Sequence, residues 1–196
     1  MISSEKYYLQ DSLELAQSLI GKYLVREINN QRICGKIVET EAYLGINDKA
    51  SHTHNGKKTK RTKILYKKGG LVYVYTIYGI YHCFNIVANR ASIPQAVFIR
   101  ALEPVEGQGI MENNRKSKIR KTEELTNGPA KLCQALKLNK TLYGLDLKQG
   151  KILYLEEGEK IDNIVKSPRI NVDYAEEDKN KPWRFYEAGN PYVSRS

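Results

Sequence analysis

Residues 71–88 read LVYVYTIYGIYHCFNIVA, and their composition sets the fold class. Val, Ile, Tyr, Thr and Phe crowd both halves of the stretch, and such side chains suit a pleated, half-buried surface better than a helix. The run breaks at Tyr78-Gly79, where glycine permits the positive φ of a tight reversal. A hairpin or a sharply bent strand is therefore predicted. Strand alternation places Tyr73 and Tyr75 on one face, Tyr78 at the turn and Tyr81 just beyond it. An aromatic ring at a hairpin tip is poorly placed for a core, whereas Tyr73 also suits a cross-strand aromatic ladder.

Upstream, residues 23–28 and 32–44 read as two strands joined by a polar turn at Asn29-Asn30. Before them, Asp11–Leu19 reads as a helix. Asp11 caps it, Glu14 completes a capping box, Leu13, Ala16 and Leu19/Ile20 line one face, and Gly21 stops it. Downstream, AVFIRA (96–101) is a strand, and Pro104 is expected to open a helix running towards Arg115. A polar connection, KSKIRKTEELTN (116–127), leads to Gly128-Pro129 and an amphipathic helix, AKLCQAL. Short strands are expected around KILYLE, PRINV and PWRFYEAG. No repeat, low-complexity tract or linker divides the chain, so residues 1–196 are predicted to form one α+β domain.

Composition narrows the function classes. The 196 residues are 41% hydrophobic, as in a globular protein, and no run approaches the roughly 20 apolar residues of a membrane helix. MISSEKYYLQDSLEL lacks the apolar core of a secretory signal. Three widely spaced cysteines argue against a disulfide framework and show no zinc-ligand spacing, which suits reduced thiols in the cytosol. Lys and Arg outnumber acids by 32 to 22, for a net charge of +10, so polyanions such as a phosphate backbone are attracted. Fourteen tyrosines stand against three phenylalanines and one tryptophan; tyrosine suits base stacking and wet interfaces, but also ordinary strand filling.

The chemistry centres on IVETEAY (37–43). Alternation puts Glu39, Glu41 and Tyr43 on one face and Val38, Thr40 and Ala42 on the other. Two carboxylates beside a tyrosine suit a polar cleft, or else the wet face of a half-exposed strand. The following loop, GINDKASHTHNGKKTKRTK (45–63), is long, basic and unpatterned, as functional and disordered loops both are. His52 and His54 lack an evident third metal ligand, so no metal is expected. Phosphate-loop, serine-elbow and dinucleotide fingerprints are absent.

IVETEAYLG (37–45), His52, LVYVYTIYGIYHCFN (71–85), IRALEP (99–104), NGPAKLCQAL (127–136) and WRFYEAGNPYVS (183–194) together resemble the alkyladenine (3-methyladenine) DNA glycosylase family of the mammalian type, in order and over nearly the whole chain. The chain lacks the mammalian N-terminal extension, as short bacterial relatives do. The resemblance implies one mixed domain around a curved, mainly antiparallel sheet with a protruding hairpin, no metal and no organic cofactor. It implies Glu41 as the general base that activates water and Arg100 as an arginine beside that water. Tyr43 and Tyr75 correspond to rings that sandwich a flipped base, His52 to a pocket residue, and Asn85 to an asparagine that rejects the 2-amino group of guanine. Tyr78 corresponds to the residue inserted into the duplex. Tyr81, Lys57, Lys58, Lys60 and Arg61 are expected as further DNA contacts, although the basic loop differs from the mammalian version. Glu39 either tunes Glu41 or faces solvent, the second being preferred. The implied activity is monofunctional removal of damaged purines from double-stranded DNA, by a monomer with no membrane partner. A catalytically dead nucleic-acid-binding module and a metal-dependent nuclease using Glu39, Glu41 and Asp48 are the competing readings.

Overall fold

Strand β2 (Gln31–Tyr43) is the longest element, and the sheet is assembled around it. A computed structural model describes residues 1–115 and 119–195. Ahead of β2 lie helices α1 (Glu5–Tyr8) and α2 (Ser12–Leu19) and strand β1 (Tyr23–Ile28). After it come β3 (Val72–Ile77), β4 (Tyr81–Ala88), β5 (Gln95–Glu106), α3 (Gln108–Asn114), α4 (Pro129–Ala135), β6 (Leu153–Glu156), β7 (Ile164–Ser167) and β8 (Arg184–Glu187). The fold is α+β, with a curved antiparallel sheet in the order β3-β4-β5-β2-β1-β6. On one side β2 pairs with β5 along most of its length. On the other, β1 takes its first half and β8 its second.

That double flanking explains why every residue from Ile33 to Ala42 is buried. The reading of β2 as a half-exposed strand with a wet face is thereby corrected. One face meets α2, where the Thr40 hydroxyl donates to the Ala16 carbonyl at 2.9 Å; Leu15, Ala16 and Leu19 of the helix are fully buried in the main core. Asp11 caps α2 by accepting from the backbone of Leu13 and Glu14, while Glu14 itself lies exposed, so only the Asp11 half of the expected box is made.

The pairing of β2 with β5 is interrupted twice near its middle. Ile37 faces Leu102 and Glu39 faces Ala101, so Val38 is an extra residue on β2; Ile99 then faces Thr40, leaving Arg100 extra on β5. Such bulges bend strands and re-aim side chains. The expected helix start at Pro104 is also corrected. β5 continues through Pro104 to Glu106, and the helix begins at Gln108. Pro104 pairs with Gly35 next to a register shift, a place where a missing N–H is tolerated in a sheet.

The predicted hairpin forms from β3 and β4, with Ile77 opposite Tyr81. Tyr78 (φ 49°) and Gly79 (φ 73°) both adopt positive φ, as turns that match strand twist require. PRINV is not a strand; the strand there is β7, just before Pro168, and it pairs with β8. Of the expected connection 116–127, residues 116–118 lie outside the described residues, and Thr122–Leu125 forms a 3-10 turn.

Replacing Thr40 by Val keeps the shape and removes the bond to Ala16. The expected loss is about 1 kcal/mol of unfolding free energy, seen as a lower urea midpoint with an unchanged slope.

Candidate active site

Glu39 and Glu41 project from the face of β2 opposite α2 and are wholly buried. Burying a carboxylate is costly unless it is paired and hydrogen-bonded, and here every oxygen is accounted for. Glu39 Oε1 accepts from Arg100 Nε (3.1 Å) and an Arg184 guanidinium nitrogen (3.0 Å). Its Oε2 accepts from the Ser194 backbone N–H at 2.7 Å. Glu41 Oε1 accepts from the Ile170 backbone N–H at 2.7 Å and lies 3.2 Å from the Arg100 guanidinium. Its Oε2 accepts from the Tyr43 hydroxyl at 3.0 Å. Two carboxylates and two guanidinium groups thus balance in charge. Glu39 does not face solvent; it holds Arg100 and Arg184. Burial opposes the charge on Arg100, but Glu41 and Glu39 hold its pKa above the ordinary arginine value. The bulge at Arg100 is what lets one side chain reach both carboxylates.

Tyr43 carries this network to the surface. Its ring lines a cleft with Ala50, His52, Tyr73, Tyr75 and Asn85. Burial, reinforced by Glu41, keeps the Tyr43 phenol protonated. Tyr75 lies with its ring centroid 4.6 Å from that of His52, and His52 Nδ1 shares a 2.8 Å hydrogen bond with the Tyr73 hydroxyl. Tyr73 is packed in a small core with Leu65, Val87 and Ala96, so it supports the cleft more than it opens onto it. Asn85 is buried, and its amide nitrogen donates to the carbonyls of Tyr73 (3.2 Å) and Cys83 (3.4 Å). No other partner holds its carbonyl oxygen among the described residues. Gly45 (φ 83°) ends the strand motif, and a Cβ there would stand 2.6 Å from the Pro94 carbonyl oxygen.

Glu41, Tyr43, His52, Tyr75, Asn85 and Arg100 are therefore gathered at one place. Tyr78 is not among them. It stands at the hairpin tip, 88% exposed, with Ile80 at 69% and Tyr81 at 37%. Lys57, Lys58, Lys60 and Arg61 are all exposed on the loop after His52. Thr59 and Thr62 tie that loop together through mutual hydrogen bonds. Arg61 joins loop to cleft, with its guanidinium 5.9 Å from the Tyr75 ring centroid. The two loop histidines do not converge: His54 Nδ1 meets the Ile46 carbonyl. No group of three or more potential metal ligands is assembled among the described residues.

Besides Arg184 and Ser194, sequence reasoning missed Arg169, Ile170 and Tyr174. Arg169 makes a forked, fully buried pair with Asp48 at 2.6 and 2.8 Å. Its guanidinium lies 4.7 Å from the Tyr43 ring centroid and 4.8 Å from that of Trp183. Ile170 supplies the backbone donor to Glu41, and Tyr174 stands exposed at the cleft edge with its hydroxyl near the Ala50 carbonyl. The only signal in the sequence was an arginine within the short PRINV segment.

Residues 6–191 match the family model described as methylpurine-DNA glycosylase. The chain belongs to the methylpurine-DNA glycosylase family. It is 47% identical over 191 residues to a protein of Natranaerobius thermophilus, covering 96% of each chain. It is 46% identical over 198 residues to one of Clostridium novyi, covering 98% of each. A protein of Methanocella arvoryzae shares 46% over 189 residues, covering 96% of this chain and 94% of its own. All three bear the name "Putative 3-methyladenine DNA glycosylase". As a member of this DNA-repair family, the protein is a hydrolase of N-glycosyl bonds in DNA. Among the described residues, no helix is long and apolar enough to cross a membrane.

Burial, with Arg61 and Lys57 adding to it, lowers the His52 pKa from 6.5 to about 4. Above pH 6.5 folded and unfolded chains both hold this histidine neutral. As pH falls from about 6.5 to about 4, the unfolded chain takes up a proton that the folded one resists, so stability is lost in that window. Melting temperatures across it are expected to fall less steeply in His52→Gln than in the wild type.

Proposed function

We propose that this glycosylase turns an alkylated or deaminated purine out of duplex DNA into the cleft and hydrolyses its bond to deoxyribose. Substrates would be of the 3-methyladenine, 7-methylguanine and hypoxanthine type, and the product an abasic site for base-excision repair. The observation that carries the reading is a buried carboxylate, Glu41, held between Arg100 and the hydroxyl of a ring that walls a tyrosine-lined cleft.

Departure of the base leaves oxocarbenium character on the sugar. A purine alkylated at its 3- or 7-position already carries positive charge, so it leaves without being protonated, and one carboxylate suffices where sugar hydrolases commonly use two. Glu41 would take the Tyr43 bond site for a water, remove its proton, and stabilise the cationic sugar through its charge. Arg100, held by Glu39, would fix Glu41 and the water. Tyr43 and Tyr75 would stack on the base. Asn85, its nitrogen committed to the hairpin backbone, would turn its oxygen and bulk against the 2-amino group of guanine, a selection by repulsion. Among the described residues no lysine lines the cleft, which supports water rather than an amine as nucleophile.

The duplex would lie across the hairpin tip and the basic loop. Tyr78 would enter the stack and hold the base out, offsetting a flipping cost of a few kcal/mol, while Tyr81, Lys57, Lys58, Lys60 and Arg61 meet the backbone. One sheet joins strands from residue 23 to residue 187, which supports a single domain; it would act as a monomer. Three buried, free cysteines suit a reducing cytosol.

The test is release of free base from alkylated duplex DNA with a chelator present and strand breaks scored separately. Release without breaks is expected; chelator-sensitive cutting would replace this reading with a nuclease. Glu41→Gln should slow single-turnover excision by about 10²–10⁴-fold while retaining binding to damaged DNA, and a near-normal rate would remove Glu41 from the role. Tyr78→Ala should reduce excision from paired DNA far more than from a mismatch, where flipping costs less; equal losses would mean that Tyr78 is not the wedge.

A further inference from the structure

We infer that Arg169 sets the charge preference of the cleft: it holds a cation against the hidden side of Tyr43 and leaves Tyr75 as the ring that favours a positively charged base. This rests on the proposed function above and assigns unequal work to the two rings.

The geometry separates the two faces of Tyr43. Its ring lines the cleft, whereas the Arg169 side chain is wholly buried and does not. Arg169 therefore meets the ring from behind, at 4.7 Å, with Trp183 at 4.8 Å as a second ring contact. Asp48 neutralises the guanidinium through forked bonds. Such bonds lie in the guanidinium plane and leave its flat faces to the aromatic rings.

An aromatic face attracts a cation through its electron-rich π cloud. When a cation already sits behind the ring, that density is drawn away from the open face, and a second cation in front is repelled across a dry, low-dielectric gap. A neutral base loses nothing by this, since stacking needs only contact area. Tyr75 is differently placed. The cation over its ring, Arg61, is 5.9 Å from the centroid and exposed to solvent, where ions screen it. The other titratable or charged groups at the cleft are the tyrosine hydroxyls, His52, neutral at physiological pH, Glu41, which touches the Tyr43 hydroxyl rather than its face, and Arg100, whose charge Glu39 and Glu41 balance.

The measurement is single-turnover release of 7-methylguanine, which is cationic, and of hypoxanthine, which is neutral, from otherwise identical duplexes. Arg169→Met combined with Asp48→Asn removes both charges of the pair. The 7-methylguanine to hypoxanthine ratio is expected to rise about two- to fivefold, the rate equivalent of one modest cation–π contact. Asp48→Asn alone leaves Arg169 uncompensated, and the ratio should fall. A purely structural role would slow both bases alike in both variants and would overturn the inference. Should either variant fail to fold, Tyr75→Leu decides the matter. The ratio is expected to fall by a similar factor, and an unchanged ratio overturns the assignment. If the wild type releases both bases and the ratios stay fixed, only the role of Arg169 is lost; if it releases neither, the proposed function fails with it.

Discussion

Two glutamates and two arginines, neutralised inside the sheet, are the constraint on which the rest of the molecule depends. A carboxylate left unpaired at the depth of Glu39 or Glu41 would be a severe penalty. The strands around them are therefore committed to bringing Arg100 and Arg184 close. β5 does so by bulging at Arg100, and β8 by pairing with the second half of β2, where Arg184 lies opposite Glu41. The charges are also held without freedom to reorganise, so a fixed field is ready before any substrate arrives, which is the general condition for electrostatic catalysis.

From that centre the molecule divides its tasks by distance from the sheet. The buried charges sit deepest, the tyrosine-lined cleft lies over them, and the hairpin tip and lysine-rich loop lie outermost. Tyr43 links the first two levels, since its ring is a wall and its hydroxyl reaches the carboxylate. Arg61 links the last two, standing over the Tyr75 ring while its loop stays in solvent. The loop's order comes from short side-chain bonds among threonines, which leaves its basic side chains outward.

Much of this was legible in the chain because local rules and tertiary context agree there. The capped helix at Asp11, the hairpin broken at Tyr78-Gly79 and the Gly128-Pro129 helix start all follow from backbone preferences that distant residues do not overturn. The failures share a different cause. Pro104 looked like a helix opener because its tolerance within a strand depends on a register shift against Gly35. PRINV looked like a strand because nothing nearby shows that Arg169 is needed by Asp48, or the Ile170 N–H by Glu41. Glu39 carried the alternation of a wet face, and only Arg100, Arg184 and Ser194, all far along the chain, make its burial tolerable. The catalytic and pocket residues taken from the resemblance lie close together, while Tyr78 stands apart at the hairpin tip, and the partners that orient the former had no local signature.

The same distances shape how the molecule comes together. The bonds from Arg184 and Ser194 to Glu39 span 145 and 155 residues, so the loop-closing entropy must be met before their contacts contribute. Until the 164–195 region docks, the two glutamates must keep their hydration shells, and the seam between β2 and β5 stays wet. The helix, the hairpin and the β1–β2 pair rest on close neighbours in sequence and carry no such delay. Completion of the buried charge network thus depends on the most sequence-distant contacts of the fold.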